Sequence, residues 1–195
     1  MSADVTVLAE LAGRALRRPR MKIATAERSV PNGPGLYAVY GSREVWRELR
    51  LGRRPDGRPL YVGKAERSLA GRDLRQHFAD GKTGSSTLRR SCAALLRPAL
   101  KLRGIPRDKS KPGAFDRYGL SPSHDARLTS WMRSRLWIAV WMAPARTNLK
   151  NLEDELKFLW SPPLNLDNGS RWQEPVRTER RLLGEQARGW AARWL

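Results

Sequence analysis

Apolar positions along the chain change their spacing from element to element, and those changes outline the fold. Val5, Leu8, Leu11 and Leu16, with Ala12 and Ala15, recur at helical spacing and predict a short amphipathic helix that leads into the basic run Arg14, Arg17, Arg18 and Arg20. A packed helix and a basic arm both fit residues 1–30. Pro31-Asn32-Gly33-Pro34-Gly35 is a dense turn signal. The alternation that follows, Leu36-Tyr37-Ala38-Val39-Tyr40, predicts a strand with Tyr37 and Val39 on one face. A polar stretch from Gly41 to Pro59 leads to a second predicted strand, Leu60-Tyr61-Val62, which ends at Gly63 with Tyr61 and Gly63 on a shared face.

Beyond Ser68, a good N-cap, a helical pattern runs to Ala79 and is broken by Gly81-Lys82-Thr83-Gly84. A second helix is predicted over Ser86–Lys101, a Pro/Gly-rich charged loop over Ile105–Ser123, and a helix over Ala126–Arg133. Residues 81–134 therefore read as a largely helical insertion. Leu136-Trp137-Ile138-Ala139-Val140-Trp141-Met142 is apolar on both faces, as a central strand covered on two sides must be. Leu149, Leu152, Leu156 and Leu159 then form a helical stripe that stops before Pro162-Pro163. The end of the chain, residues 167–195, reads as a basic tail with Trp172, Trp190 and Trp194, helical after Pro175.

Charge narrows the choice of partner. The 195 residues hold 38 Lys+Arg against 19 Asp+Glu, a net +19, and residues 43–111 contribute +12 of it. A chain so charged favours polyanions through counterion release. In that window arginine outnumbers lysine, and its planar fork grips a phosphate with two hydrogen bonds. Charge by itself fits a generic basic protein equally well. A single cysteine, Cys92, excludes an intramolecular disulfide and suits a reducing, cytoplasmic setting. With only His77 and His124 beside it, no zinc site has the required spacing. No apolar run approaches the roughly 18 residues of a membrane span, so no membrane partner is expected.

The order of these elements resembles the GIY-YIG nuclease superfamily. Gly35-Leu36-Tyr37 stands for the first tripeptide and Tyr61-Val62-Gly63, followed by Lys64, for the second. Leu69 with Arg72 three residues on matches the helix motif; Leu152-Glu153-x-x-Leu156, with Pro163-Leu164-Asn165 twelve residues after the glutamate, resembles the closing element. The match covers about residues 33–80 and 135–166. It departs in one place: many members carry a His or Tyr four residues after the helix arginine, whereas His77 lies five after Arg72 and two after Arg75. Arg72 is the expected catalytic arginine, with Arg75, one turn along the same helix face, as its substitute.

The resemblance implies a mixed α+β fold with a small three-stranded, mainly antiparallel sheet flanked by helices, and the helical insertion before the last strand. A nuclease domain over residues 31–166 would then carry the chemistry. It implies Tyr37 as general base or its relay, Tyr61 beside it, Arg72 clamping the phosphoryl oxygens, and Glu153 holding one Mg²⁺ or Mn²⁺. Glu153 borders the leucine stripe and can face a cleft, while Asp154 points to solvent. A tyrosine with an ordinary pKa of about 10 needs cations beside it to work at neutral pH. Lys64 and Arg72 are available. His77 binds phosphate, supports the base or packs, and Asn165 either caps a turn or touches phosphate. Arg53, Arg54, Lys82, Ser85, Ser86, Arg89 and Arg90 are candidate DNA contacts, although Ser85 and Ser86 equally make an ordinary helix cap. Trp46, Trp131 and Trp172 offer stacking surfaces, with core packing the commoner use. The expected activity is DNA endonuclease, of restriction or other defensive type. Repair or structure-specific cutting, and a non-catalytic nucleic-acid-binding module, are the alternatives; a homodimer is left open.

Overall fold

The computed structural model describes residues 3–18, 20–26, 29–52, 57–70, 75–108, 115–166 and 173–192. In chain order the elements are α1 (Ala3–Arg17), β1 (Met21–Lys22), α2 (Ile23–Ala26), β2 (Gly35–Gly41), α3 (Arg43–Glu48), β3 (Tyr61–Ala65) and α4 (Arg75–Phe78). There follow α5 (Thr87–Leu95), β4 (Gly104–Ile105), β5 (Gly119–Leu120), α6 (Pro122–Arg135), β6 (Leu136–Met142), α7 (Leu149–Trp160) and α8 (Glu174–Ala191). Two single 3-10 turns lie at Thr83–Ser85 and Phe115–Arg117.

The fold is mixed α+β, as the order of elements requires. The main sheet runs β1-β6-β2-β3 with every pair antiparallel. Three of its strands are those the apolar pattern predicts; the fourth, β1, is a two-residue edge pairing with Trp137 and Ile138, too short to leave a pattern. β4 and β5 form a separate two-stranded ribbon. β2 pairs along its whole length with β6, Gly35 opposite Met142 and Gly41 opposite Leu136, and all seven of its residues are buried.

Strand alternation divides the core in two. Leu36, Ala38 and Tyr40 face one way with Val62 and Ala139, and are covered by Ala9, Ala12 and Leu16 of α1 and by Leu149, Leu152, Leu156 and Trp160 of α7. Tyr37, Val39, Tyr61 and Ile138 face the other way, into a larger layer built by α2, α5, α6 and α8. Each fully buried leucine contributes about 1.5–3 kcal/mol to such layers.

α1 therefore packs and is not a free arm; Tyr40 ties it down by donating from its hydroxyl to the Leu16 carbonyl at 2.7 Å. The stripe on α7 differs from expectation at its end. Trp160 is buried, whereas Leu159 is 53% exposed, because a step of four from Leu156 stays on the sheet-facing side. Ser161 stops the helix in a left-handed conformation, φ 43°, just before the two prolines. Residues 81–134 supply Leu88, Cys92, Leu95, Leu128 and Met132 to the same cluster as Tyr37 and Tyr61, so they are part of the core. The C-terminal segment likewise packs: Val176, Leu183 and Ala187 of α8 are buried. Trp46 is fully enclosed, which removes it as a stacking surface, and Trp131 donates to Glu48 at 2.7 Å. Trp172 lies outside the described residues. No described helix is long and apolar enough to cross a membrane.

Candidate active site

Tyr37 stands opposite Gly63 in the β2–β3 pairing, and Val39 opposite Tyr61. The two tyrosines are therefore diagonal neighbours on one sheet face, with ring centroids 6.1 Å apart. Gly63 has no side chain for a steric reason: a Cβ there would lie 2.3 Å from the Tyr37 hydroxyl oxygen. The Tyr37 ring crosses the space a side chain would fill and brings its hydroxyl to the edge of the sheet. Gly63→Ala is accordingly expected to displace that hydroxyl and lower turnover by about 10²-fold, with circular dichroism and cleavage rate as paired readouts. An unchanged rate would separate the hydroxyl position from activity.

α4 carries His77 to the same place. Its Nε2 lies 2.6 Å from the Tyr37 hydroxyl, and its Nδ1 lies 2.6 Å from Ser86 Oγ. Ser86 is at once the N-cap of α5, its Oγ accepting the Arg89 backbone N–H at 3.1 Å. Two proton arrangements satisfy this chain. In one, Nδ1–H donates to Ser86 and Nε2 accepts the tyrosine proton; in the other, Ser86 donates to Nδ1 and Nε2–H donates to the Tyr37 oxygen. Only the first leaves His77 able to take the proton from Tyr37. Both ring nitrogens are hydrogen-bonded, so the imidazole is held in one orientation between Tyr37 and Ser86.

Glu153 reaches this cleft from the opposite face of the sheet. It is 7% exposed, and Lys157, one turn further along α7, holds its Oε1 at 3.0 Å. Burial raises its carboxyl pKa; the charge and hydrogen bond of Lys157, and then the charge of Lys64, work against the rise. Asp154 points outward and pairs with Lys150. The cleft, of about 270 Å³, is lined by Tyr37, Tyr61, Lys64, His77 and Glu153 together with Glu66 and Ser85. Lys64 pairs with Glu66 at its rim.

Other expected site residues take structural places. Asn165 accepts the Val62 N–H and donates to the Val62 carbonyl, each at 2.8 Å, so its amide serves as one more rung on the edge of β3. Neither phosphate contact nor a simple turn cap describes it. Arg89, expected against DNA, is 0% exposed. It donates to Asp125 at 2.9 Å, to Thr83 and to the His77 carbonyl at 3.1 Å, and so holds the histidine's backbone. Ser86 is likewise buried and committed to His77. Arg90 is buried, while Lys82 and Ser85 are exposed. Arg53, Arg54 and Arg72 lie outside the described residues, and Arg75 is described only as the first residue of α4. Lys157 belongs to the site although no motif names it; a lysine four residues after a helical glutamate is nevertheless a legible pair. Gln76, which donates to the Ser85 carbonyl at 3.1 Å and ties α4 to the far wall, has no comparable signal.

A family model described as the GIY-YIG catalytic domain matches residues 50–183, which include Tyr61, His77 and Glu153 and leave out β2 with Tyr37. Neither a curated protein nor a solved structure matches the chain.

Proposed function

This chain belongs to the GIY-YIG catalytic domain family and is a nuclease of that superfamily, and from that premise we propose a metal-dependent DNA endonuclease of restriction type. The observation that carries the reading is the meeting of Tyr37, Tyr61, His77 and Glu153, from four separate elements, on one cleft. A divalent ion of the Mg²⁺ or Mn²⁺ class fits the donor set. Such ions take one or two carboxylates and leave the remaining positions to water and substrate phosphate. Glu153 offers a hard carboxylate in a polar cleft that Glu66 also lines, and no three acidic, histidine or cysteine side chains cluster among the described residues. Bound there, the ion would stabilise charge on the phosphoryl group and on the departing 3′ oxygen.

The chain's own side chains do the rest. The Tyr37 hydroxyl passes its proton to His77 Nε2, and the phenolate so formed takes a proton from the attacking water as its oxygen joins phosphorus. Ser86 receives the Nδ1–H and holds the imidazole in the accepting tautomer. Lys64, on the strand beside Gly63, lends positive charge to the phenolate and to the phosphate oxygens. Lys157 fixes the Glu153 carboxylate so that one oxygen is held and the carboxylate keeps one orientation. Arg72 remains the proposed clamp for the phosphoryl oxygens.

The restriction assignment rests on economy of construction. The chain builds its basic central segment into the nuclease core, which suits an enzyme that meets foreign DNA with that segment beside the cleft. Supercoiled plasmid incubated with the protein and Mg²⁺ or Mn²⁺ should be cut, and excess EDTA should stop the cutting while leaving DNA binding in place. Duplex binding with no cutting under either ion would point to a non-catalytic module instead.

A further inference from the structure

Past the cleft wall lies a group of arginines that the proposed chemistry does not use. Arg90 is 8% exposed; its Nη1 donates to the Gly84 carbonyl at 2.8 Å and its Nη2 to Thr87 Oγ1 at 3.2 Å, while its buried Nε–H has no acceptor among the described residues. The two Nη groups fix the guanidinium against the loop at Gly84, and the enclosed Nε carries the cost of an unmet donor. Arg107 lies against the same glycine, since a Cβ at Gly84 would come 2.7 Å from Arg107 Cγ. Arg117 is next to Tyr118, whose hydroxyl donates to the Arg90 carbonyl at 2.6 Å. α8 packs on both α5 and the turn at Phe115–Arg117 and carries Arg180 into the group. Burial first, then the charges of Arg180, Arg117 and Arg107, bring the Arg90 pKa down to about 10. Arg107 and Arg117, both exposed, present the outer part of this positive charge to solvent, where an anion can meet it.

We infer that Arg90, Arg107, Arg117 and Arg180 form a second phosphate-binding site, which holds a backbone phosphodiester of the nucleic-acid substrate beyond the one being cut. Continuity with the cleft supports this choice of ligand. Gly84 is followed directly by Ser85, Ser86 and Thr87, and both Ser85 and Thr87 line the cleft. A strand leaving the cleft across Ser85 meets the guanidinium groups, whose planar forks suit phosphate oxygens. The inference rests on the nuclease reading above.

The test uses a labelled duplex in EDTA, with the dissociation constant followed by anisotropy across a salt series. Arg107 and Arg117 are exposed, so Arg107→Gln and Arg117→Gln are expected to fold, and Arg14→Gln on α1 serves as a surface-charge control. Removing one arginine–phosphate pairing should reduce the slope of log K against log salt by about 0.9. The double variant R107Q/R117Q should therefore show a slope smaller by about 1–2 and bind about tenfold more weakly at moderate salt. Its cutting rate at saturating DNA should stay at the wild-type value. A double variant with the slope and affinity of Arg14→Gln overturns the site, and so does one that binds normally but cuts slowly. Plasmid cutting by the wild type is scored separately, so absence of cutting counts against the nuclease reading and absence of a slope difference counts against the arginine site.

Discussion

Glu153→Gln is expected to lower metal-supported plasmid cutting by on the order of 10³-fold, because it removes the carboxylate that the cleft presents from α7. Glutamine keeps the shape and an acceptor oxygen for Lys157, so the fold and the cleft wall should survive. Duplex affinity in EDTA is expected to stay within about threefold of wild type, which places the loss in turnover and not in ground-state binding. Cutting at the wild-type rate by Glu153→Gln would remove this residue as the metal ligand.

The same carboxyl sets an acid limit on activity. Burial raises its pKa above the ordinary glutamate value, and only the ionised form can hold a cation. At sub-saturating Mg²⁺ cutting should therefore fall at a higher pH than an exposed glutamate would give, and added Mg²⁺, which competes with the proton for the carboxylate, should move the limit to lower pH. Lys157, the largest opposing influence, lowers the limit. Replacing it by methionine should move the acid limb upward, read from pH profiles at one sub-saturating Mg²⁺ concentration.

Much of this site is legible in the sequence because its members occupy elements with strong local signatures. Tyr37 and Tyr61 sit on strands framed by turn signals and alternation, and Glu153 borders a helical stripe that fixes which way it points. Asp154 is separable from it by angle alone. What escapes depends on chain segments far apart in sequence. The Ser86 hydroxyl reads as a cap, and it is one; that it also holds His77 Nδ1 follows only when α4 and α5 are brought together. Arg89 is lost as a DNA-facing residue for a related reason. Its position in a basic window suggests exposure, but Asp125, 36 residues later, draws it into the core. Residues 81–134 and 167–195 look peripheral because prolines, glycines and charges interrupt their apolar positions, yet among their described residues Leu88, Cys92, Leu128, Met132, Val176 and Leu183 help complete one layer of the core. β1 is too short for any periodicity to reveal.

Tyr37→Phe is expected to reduce the cutting rate by about 10²–10⁴-fold, the range of a lost proton-transfer group, while leaving duplex affinity unchanged. The substitution keeps the ring that packs beside Tyr61 and over Gly63 and removes only the oxygen that meets His77. A purely structural tyrosine predicts a different outcome, with loss of thermal stability and little specific effect on rate. His77→Gln offers the complementary measurement. It can still bridge Tyr37 and Ser86 by hydrogen bonds but cannot store a proton near neutral pH. If the imidazole takes the proton from Tyr37, this variant should depend more steeply on alkaline pH, since hydroxide must then do what His77 does. If Tyr37 instead loses its proton directly to solvent, His77→Gln should cut at close to the wild-type rate with an unaltered pH profile. The two variants together thus distinguish a tyrosine that works through a histidine from one that works alone.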